Sequence, residues 1–192
     1  SLLKIPDNPT IYDLLILSLT RKDAIATFNW DPLLIQAYVR CHRITDNLPN
    51  IYCLHGNVAV GFCIKHKEFG LKNTVCPICG DKLKPVSLLY PVKEKKYNSN
   101  DYIKLSWEAT ENFIENSYML TIFGYSAPKS DIEALRLMKK AWGKPNDRML
   151  EEVSVIDIID ESQITEKWSD FIYSHHYKYS NDFFNSYLGM FP

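Results

Sequence analysis

Residues 54–80 open with Leu54-His55-Gly56 and continue, six residues on, with Cys63-Ile64-Lys65-His66; nine residues later comes Cys76-Pro77-Ile78-Cys79-Gly80. Two donor pairs, each separated by two residues, can set three thiolates and an imidazole around one tetrahedral point, the coordination that zinc takes in structural sites. Gly80 suits the turn of such a knuckle, which needs a residue tolerant of positive φ with backbone amides free to face the thiolates. Four protein ligands leave no open position, so the expected zinc is structural and clips a segment too small to hold a core of its own. A second reading of the same residues makes Cys76 and Cys79 a redox pair and Cys63 a buried thiol. Cys53 is an alternative to His66 as fourth ligand, although its apolar strand context suits a small buried hydrophobe. Cys41 reads as helix core. Five cysteines, unevenly placed, do not make a disulfide framework.

The segments flanking the knuckle alternate between strand and helix patterns. Upstream, residues 11–19 (IYDLLILSL) form a short helix pattern, and residues 23–29 (DAIATFN) an apolar run expected as a buried strand. Asp31-Pro32 then supplies an N-cap acceptor and a proline at the first helical position. The helix it opens carries Leu34, Ala37, Tyr38 and Cys41 on one face. Residues 51–54 (IYCL) are a second short strand. Residues 58–85 show little periodicity and read as an insertion. Downstream follow a helix at 101–116, a buried strand at 117–123 (SYMLTIF) halted by Gly124, and a capping box from Ser130 to Glu133. The helix behind that box is expected to bury Ile132, Leu135, Met138 and Trp142. A β-branched strand at 152–159 and a helix near 161–173 complete the pattern. The expected fold is α/β, a partial Rossmann-like, mostly parallel sheet with an inserted zinc-ribbon module. Residues 1–56 and 86–174 form the two parts of the α/β domain, 57–85 the insertion, and 175–192 an aromatic tail that docks on the body or on a partner.

Composition narrows the function classes. With 46% hydrophobic and 13% aromatic residues, 192 residues can bury one good core and a small satellite. A formal net charge of -1 provides no global field for nucleic acid or anionic membrane. The lysines at 93–96 (KEKK) read as a solvated loop. No apolar run reaches the ~20 residues of a membrane helix, residues 1–10 lack signal-peptide character, and the cytoplasm is the expected compartment.

Four segments, taken in order, resemble the sirtuin family. Thr27-Phe28-Asn29-Trp30-Asp31 is similar to the family's Thr-Gln-Asn-Ile-Asp segment, and Leu54-His55-Gly56 to its Leu-His-Gly motif. The knuckle follows at once, and Gly124-Tyr125-Ser126 resembles the family's Gly-Thr-Ser turn. Phe28 stands where deacylases of the family carry glutamine, and Cys63/His66 where they carry two cysteines. With the Gly-x-Ser-x4-Asp run ending in Asp131, these departures resemble the sirtuin-like NADases of bacterial antiphage defence more than protein deacylases. The family's glycine-rich phosphate turn has no counterpart in residues 1–22, so that half of the fold is expected from a preceding segment or another domain of the same protein.

The resemblance implies NAD as substrate and partner, cleaved at the nicotinamide–ribose bond. Asn29 would position the water and the ribose hydroxyls, and His55, an imidazole suited to proton transfer near neutrality, would be the general base. Thr27, Asp31, Gly124 and Ser126 would contact the nucleotide. Each has a plainer reading: Asp31 as helix cap, Asn29 and Gly124 as turn residues, His55 as a hydrogen-bonded core histidine. An NAD-dependent deacylase and a non-catalytic zinc-containing interaction module stand as the alternatives to the NAD hydrolase.

Overall fold

The computed structural model describes residues 8–89, 100–128, 131–143, 151–172 and 176–190. The lysine run at 93–96 and the cap at Ser130 lie outside the described residues. The chain divides into two compact units, Ser1–Thr110 and Glu111–Pro192.

In the first unit, α1 (Ile11–Leu17) starts at Thr10, whose N–H and hydroxyl both donate to the Asp13 carboxylate, at 2.8 and 2.6 Å. The strand β1 (Ala24–Thr27), the helix α2 (Leu33–Cys41) and the strand β2 (Asn50–Cys53) form a parallel crossover, with Ala24 opposite Asn50 and Thr27 opposite Cys53. Asp31 accepts the Leu33 N–H at 2.9 Å, and the Pro32 carbonyl takes the first helical bond from Gln36. The N-cap is therefore Pro32 and not Asp31 as expected; the helix starts one residue later, at Leu33, with the Asp31 carboxylate on its N–H. Leu34, Ala37 and Cys41 pack with Ile16 and Leu48 into one core, with Tyr38 laid against it. β1 itself is half-buried and not the buried strand expected, for Ala26 is exposed.

Asp13 is the one carboxylate sunk beside this core. Burial disfavours its charge, but the Arg40 guanidinium grips it through Nε at 2.8 Å and Nη2 at 2.6 Å. With the Thr10 donors, that holds the Asp13 carboxyl down at about 2. A carboxyl depressed in the folded state stabilises above its unfolded value and loses that contribution as pH falls through the folded one. Unfolding free energy is therefore expected to drop by about 2 kcal/mol between pH 5 and 2 from this group. Urea titrations across that range should show the slope, and Asp13→Asn should remove it.

The insertion is a three-stranded antiparallel ribbon, β3 (Val60–Cys63), β4 (Glu68–Leu71) and β5 (Lys84–Pro85), with β3 central. Its strands are too short to print a period in the sequence. α3 (Asp101–Asn116) follows with the bounds expected of it, and Trp107 donates through Nε1 to the Leu54 carbonyl at 3.3 Å.

The second unit orders β6 (Met119–Phe123), β7 (Glu152–Ile156) and β8 (Tyr177–Ser180) into a parallel sheet with β7 in the middle. α4 (Ile132–Trp142) and α5 (Glu161–Trp168) alternate with these strands, and a 3-10 turn (Phe183–Asn185) and α6 (Tyr187–Met190) follow them. Trp142 and Trp168 are its largest buried side chains, and Trp142 donates to the Phe171 carbonyl at 3.1 Å. Two expectations need correction, and the third, a tail docked on the body, holds. β6 is an edge strand in which only Ile122 is buried. α4 buries Ala134, Met138 and Trp142 and leaves Ile132 66% exposed. The aromatic tail supplies β8, which pairs with β7 from Val153–Tyr177 to Ile156–Ser180. The fold is α/β, with two parallel sheets and an inserted antiparallel ribbon. No described helix is long and apolar enough to cross a membrane.

Candidate functional site

The ribbon brings together the four side chains that the spacing singles out. Donor atoms of Cys63, His66, Cys76 and Cys79 lie within 4.8 Å of one another. Cys63 Sγ is 3.7 Å from His66 Nδ1 and 3.9 Å from Cys79 Sγ, and Cys76 Sγ is 3.6 Å from His66 Nδ1. Zinc–sulfur bonds of ~2.3 Å at tetrahedral angles put sulfurs ~3.8 Å apart. Three of the six edges, at 3.6–3.9 Å, match a tetrahedron of that size, so the donor set fits a zinc ion in chemistry and nearly in spacing.

Local backbone explains the placement. Cys63 ends β3, His66 lies in the β3–β4 turn, and Cys76 and Cys79 form a second knuckle closed by the Gly80 N–H on the Cys76 carbonyl at 2.9 Å. Gly80 turns at φ +74°, which an L side chain rarely adopts. The N–H groups of Cys79 and Ile78 hold the Cys76 thiol down at about 6, favouring the thiolate a metal binds. Cys53 lies outside the group: it is buried in β2, where burial pushes its thiol up to about 11.

A second cluster sits where β1 and β2 end. Thr27 and Cys53 are register partners, so Asn29 and His55, each two residues further on, leave the sheet at the same level. The Thr27 hydroxyl accepts the Asn29 N–H at 3.1 Å, and the Asn29 amide donates to the Tyr12 hydroxyl at 3.4 Å. His55 is buried, its ring edge-on to Phe28 at 4.8 Å between centroids. Asp31 keeps its carboxylate on the Leu33 N–H while its carbonyl accepts from Asn57 at 2.6 Å.

Asn57 and Tyr12 escaped the sequence reading. Asn57 is 1% exposed and also donates to the Asn29 carbonyl at 3.4 Å, so it stitches the two strand-end loops together. Its place directly after Leu-His-Gly was the available signal. Tyr12 reaches the loop from α1; burial, then the Asp31 charge, push its phenol up. A groove of about 300 Å³ opens beside it, lined by Thr10, Ile11, Tyr12, Leu33, Gln36 and Arg40.

Gly56 fixes the loop after His55. It turns at φ +79°, and a Cβ there would collide with the Ser87 carbonyl. The His55 carbonyl in turn accepts the Leu89 N–H at 2.9 Å.

In the second unit, Gly124 ends β6 at φ +60° and donates its N–H to the Ile156 carbonyl at 2.9 Å. Ser126 is exposed in the turn that follows. The Tyr125 hydroxyl donates to the buried Asp131 carboxylate at 3.0 Å, which pins that turn to the start of α4. Thr27, Asn29, Asp31 and His55 thus lie in the first unit, and Gly124 and Ser126 in the second.

No protein-family model matches the chain, and no curated protein matches it. Among solved structures, it is similar to a Sir2 homolog–NAD complex, with a TM-score of 0.44 and 15% identity over 93% of this chain and 60% of that one. A Sir2 structure with an inhibitor, 2'-O-acetyl-ADP-ribose and a deacetylated p53 peptide gives a TM-score of 0.43 and 14% identity over 91% and 66%. A mutant Sir2 homologue with ADP-ribose gives 0.43 and 17% over 79% and 56%. The chain therefore spans between half and two thirds of the length of these structures, which are all Sir2 proteins.

Proposed function

We propose that the chain is the zinc-braced, sirtuin-like NAD-binding part of an NAD hydrolase, of the kind resembled by the NADases of antiphage defence. The observation that supports this reading is that the parallel register of β1 and β2 ends on Thr27 and Cys53, each two residues before Asn29 and His55. The crevice beyond the carboxyl ends of strands is where open α/β sheets hold ligands.

Cleavage of the nicotinamide–ribose bond passes through an oxocarbenium-like state in which nicotinamide departs with the bonding pair. Water then adds to the anomeric carbon and loses a proton, giving ADP-ribose. Asn29, tethered to Tyr12 through its amide, presents polar atoms at the loop tip to orient the water and the ribose hydroxyls. His55 takes the proton. The Phe28 ring against the imidazole limits its motion and lowers the water content around it. Thr27 and Asp31 shape the loop that meets the nucleotide. Zinc held by Cys63, His66, Cys76 and Cys79 is structural, since four protein donors leave no site for substrate. The pyrophosphate grip belongs to a segment other than residues 1–22, which contain no glycine.

Nicotinamide release by the intact protein, with and without an acetylated peptide, tests the reading. Hydrolysis should run at the same rate without peptide. Release that requires the peptide would replace the hydrolase with a deacylase, and absence of release under both conditions would leave the non-catalytic module.

A further inference from the structure

The ribbon buries β3, with Val60 and Phe62 inside, but leaves much of its other apolar surface outside. Its buried cluster is Cys63, Cys76 and Leu83, with Cys79 against it. Ile64 and Ile78 are each 62% exposed, Val75 57%, Phe69 56% and Leu71 40%. Five large apolar side chains on so small a module are more than scattered surface residues. Ile64 lies between Cys63 and His66, and Ile78 between Cys76 and Cys79, so both exposed side chains sit at the tips of the ligand knuckles. The surface around them is basic. Residues 57–85 carry five lysines, at 65, 67, 72, 82 and 84, against only Glu68 and Asp81, whereas the whole chain has a net charge of -1. Lys65 pairs with Asp81 at 3.3 Å, and no ion pair engages the other four lysines among the described residues.

The ribbon also has an open side. Among the described residues, β4 pairs with β3 alone. The Lys72 N–H donates inward to the Ala59 carbonyl, so by alternation the N–H and C=O of Phe69 point away from β3. Phe69 stands on the same sheet face as Phe62, since both rings meet Tyr102 edge-on, at 6.2 and 5.7 Å. Leu71, two residues on, shares that face.

We propose that the zinc ribbon is a docking surface for an acidic polypeptide segment, bound in extended form along β4 with its apolar side chains against the exposed aliphatic rim. The Leu71 carbonyl already accepts from Thr74, so an added strand pairs with the outward N–H and C=O of Phe69, which gives affinity, while carboxylates meet the lysines, which gives orientation and rate. Nucleic acid could use the lysines but not the main-chain edge, and Phe69 is the only aromatic on the rim for a base to stack on. A second copy brought face to face would oppose lysine to lysine.

Selection from a displayed library of random twelve-residue peptides against the intact, zinc-loaded protein tests this. Recovered peptides should alternate acidic and apolar residues. Their affinity should fall about ten-fold or more in the Ile64→Ser/Ile78→Ser double variant and in Lys72→Glu, with zinc content unchanged. Their affinity should also weaken with rising salt. Recovery of no peptides, of basic ones, or of peptides indifferent to these substitutions would overturn the proposal. So would binding of a single-stranded oligonucleotide or an anionic lipid vesicle that the selected peptides fail to displace.

Discussion

Protein purified without added metal is expected to carry close to one zinc per chain, and Cys76→Ser to lose both the ion and the ribbon. A buried set as small as Val60, Phe62, Cys63, Cys76 and Leu83 cannot offset the ordering of nearly thirty residues at ~1–2 kcal/mol each. A four-ligand structural zinc site contributes ~10–16 kcal/mol of apparent binding free energy at neutral pH. Short strands and a few turn hydrogen bonds add little beside that, so the metal is what chiefly holds the ribbon folded. Metal analysis by mass spectrometry and hydrogen exchange over residues 57–85 check the two halves of the expectation. A protein free of metal with a protected ribbon would refute it. Cys53→Ser should leave zinc content intact, because its thiol lies in β2 outside the donor group.

Asn29→Ala and His55→Ala should each reduce nicotinamide release by the intact protein about 10²–10⁴-fold, while zinc content stays at the wild-type value. The losses have different origins. Without Asn29 the water and ribose lose their orientation; without His55 the proton has no acceptor. Because the two residues serve one event, the double variant should be little worse than either single one. His55 is buried against Phe28, so His55→Ala also leaves a cavity, and thermal unfolding of each variant must accompany the rate. Asp31→Ala is a poor probe, since it also removes the cap on the Leu33 N–H, worth ~1 kcal/mol. Full activity in both Asn29→Ala and His55→Ala would reduce these segments to structural turns.

The parts of this protein legible in its sequence are those fixed by short-range chemistry. Ligand spacing placed the four metal donors, and Asp31-Pro32 placed the start of α2. The Leu-His-Gly segment marked the end of β2. Long-range choices were less visible. β8 reads Tyr-Lys-Tyr-Ser, an alternation too short to stand out within an aromatic tail, and is a strand because β7 offers it a parallel partner. In α4, Ile132 and Met138 are six residues apart, which rotates them ~120° from each other on a helix of 3.6 residues per turn. The small Ala134 lines up with Met138 and Trp142 at four-residue steps and takes the buried stripe instead. Asn57 looks like an ordinary loop asparagine until the fold brings Asp31 and Asn29 to its amide. No local pattern records a bond across that distance.

The contact of Gly56 with Ser87, and of His55 with Leu89, brings the two ends of the ribbon to one doorway in the first unit. A loop whose ends are already joined presents the same boundary to its host whatever its length. Loop-closure entropy grows only as the logarithm of length, by about 0.6 kcal/mol per doubling. The ribbon can therefore lengthen, shorten or change its rim in evolution without disturbing β1 and β2. The fixed costs lie at the doorway: a glycine at 56, and the two strand-end loops that Asn57 ties together.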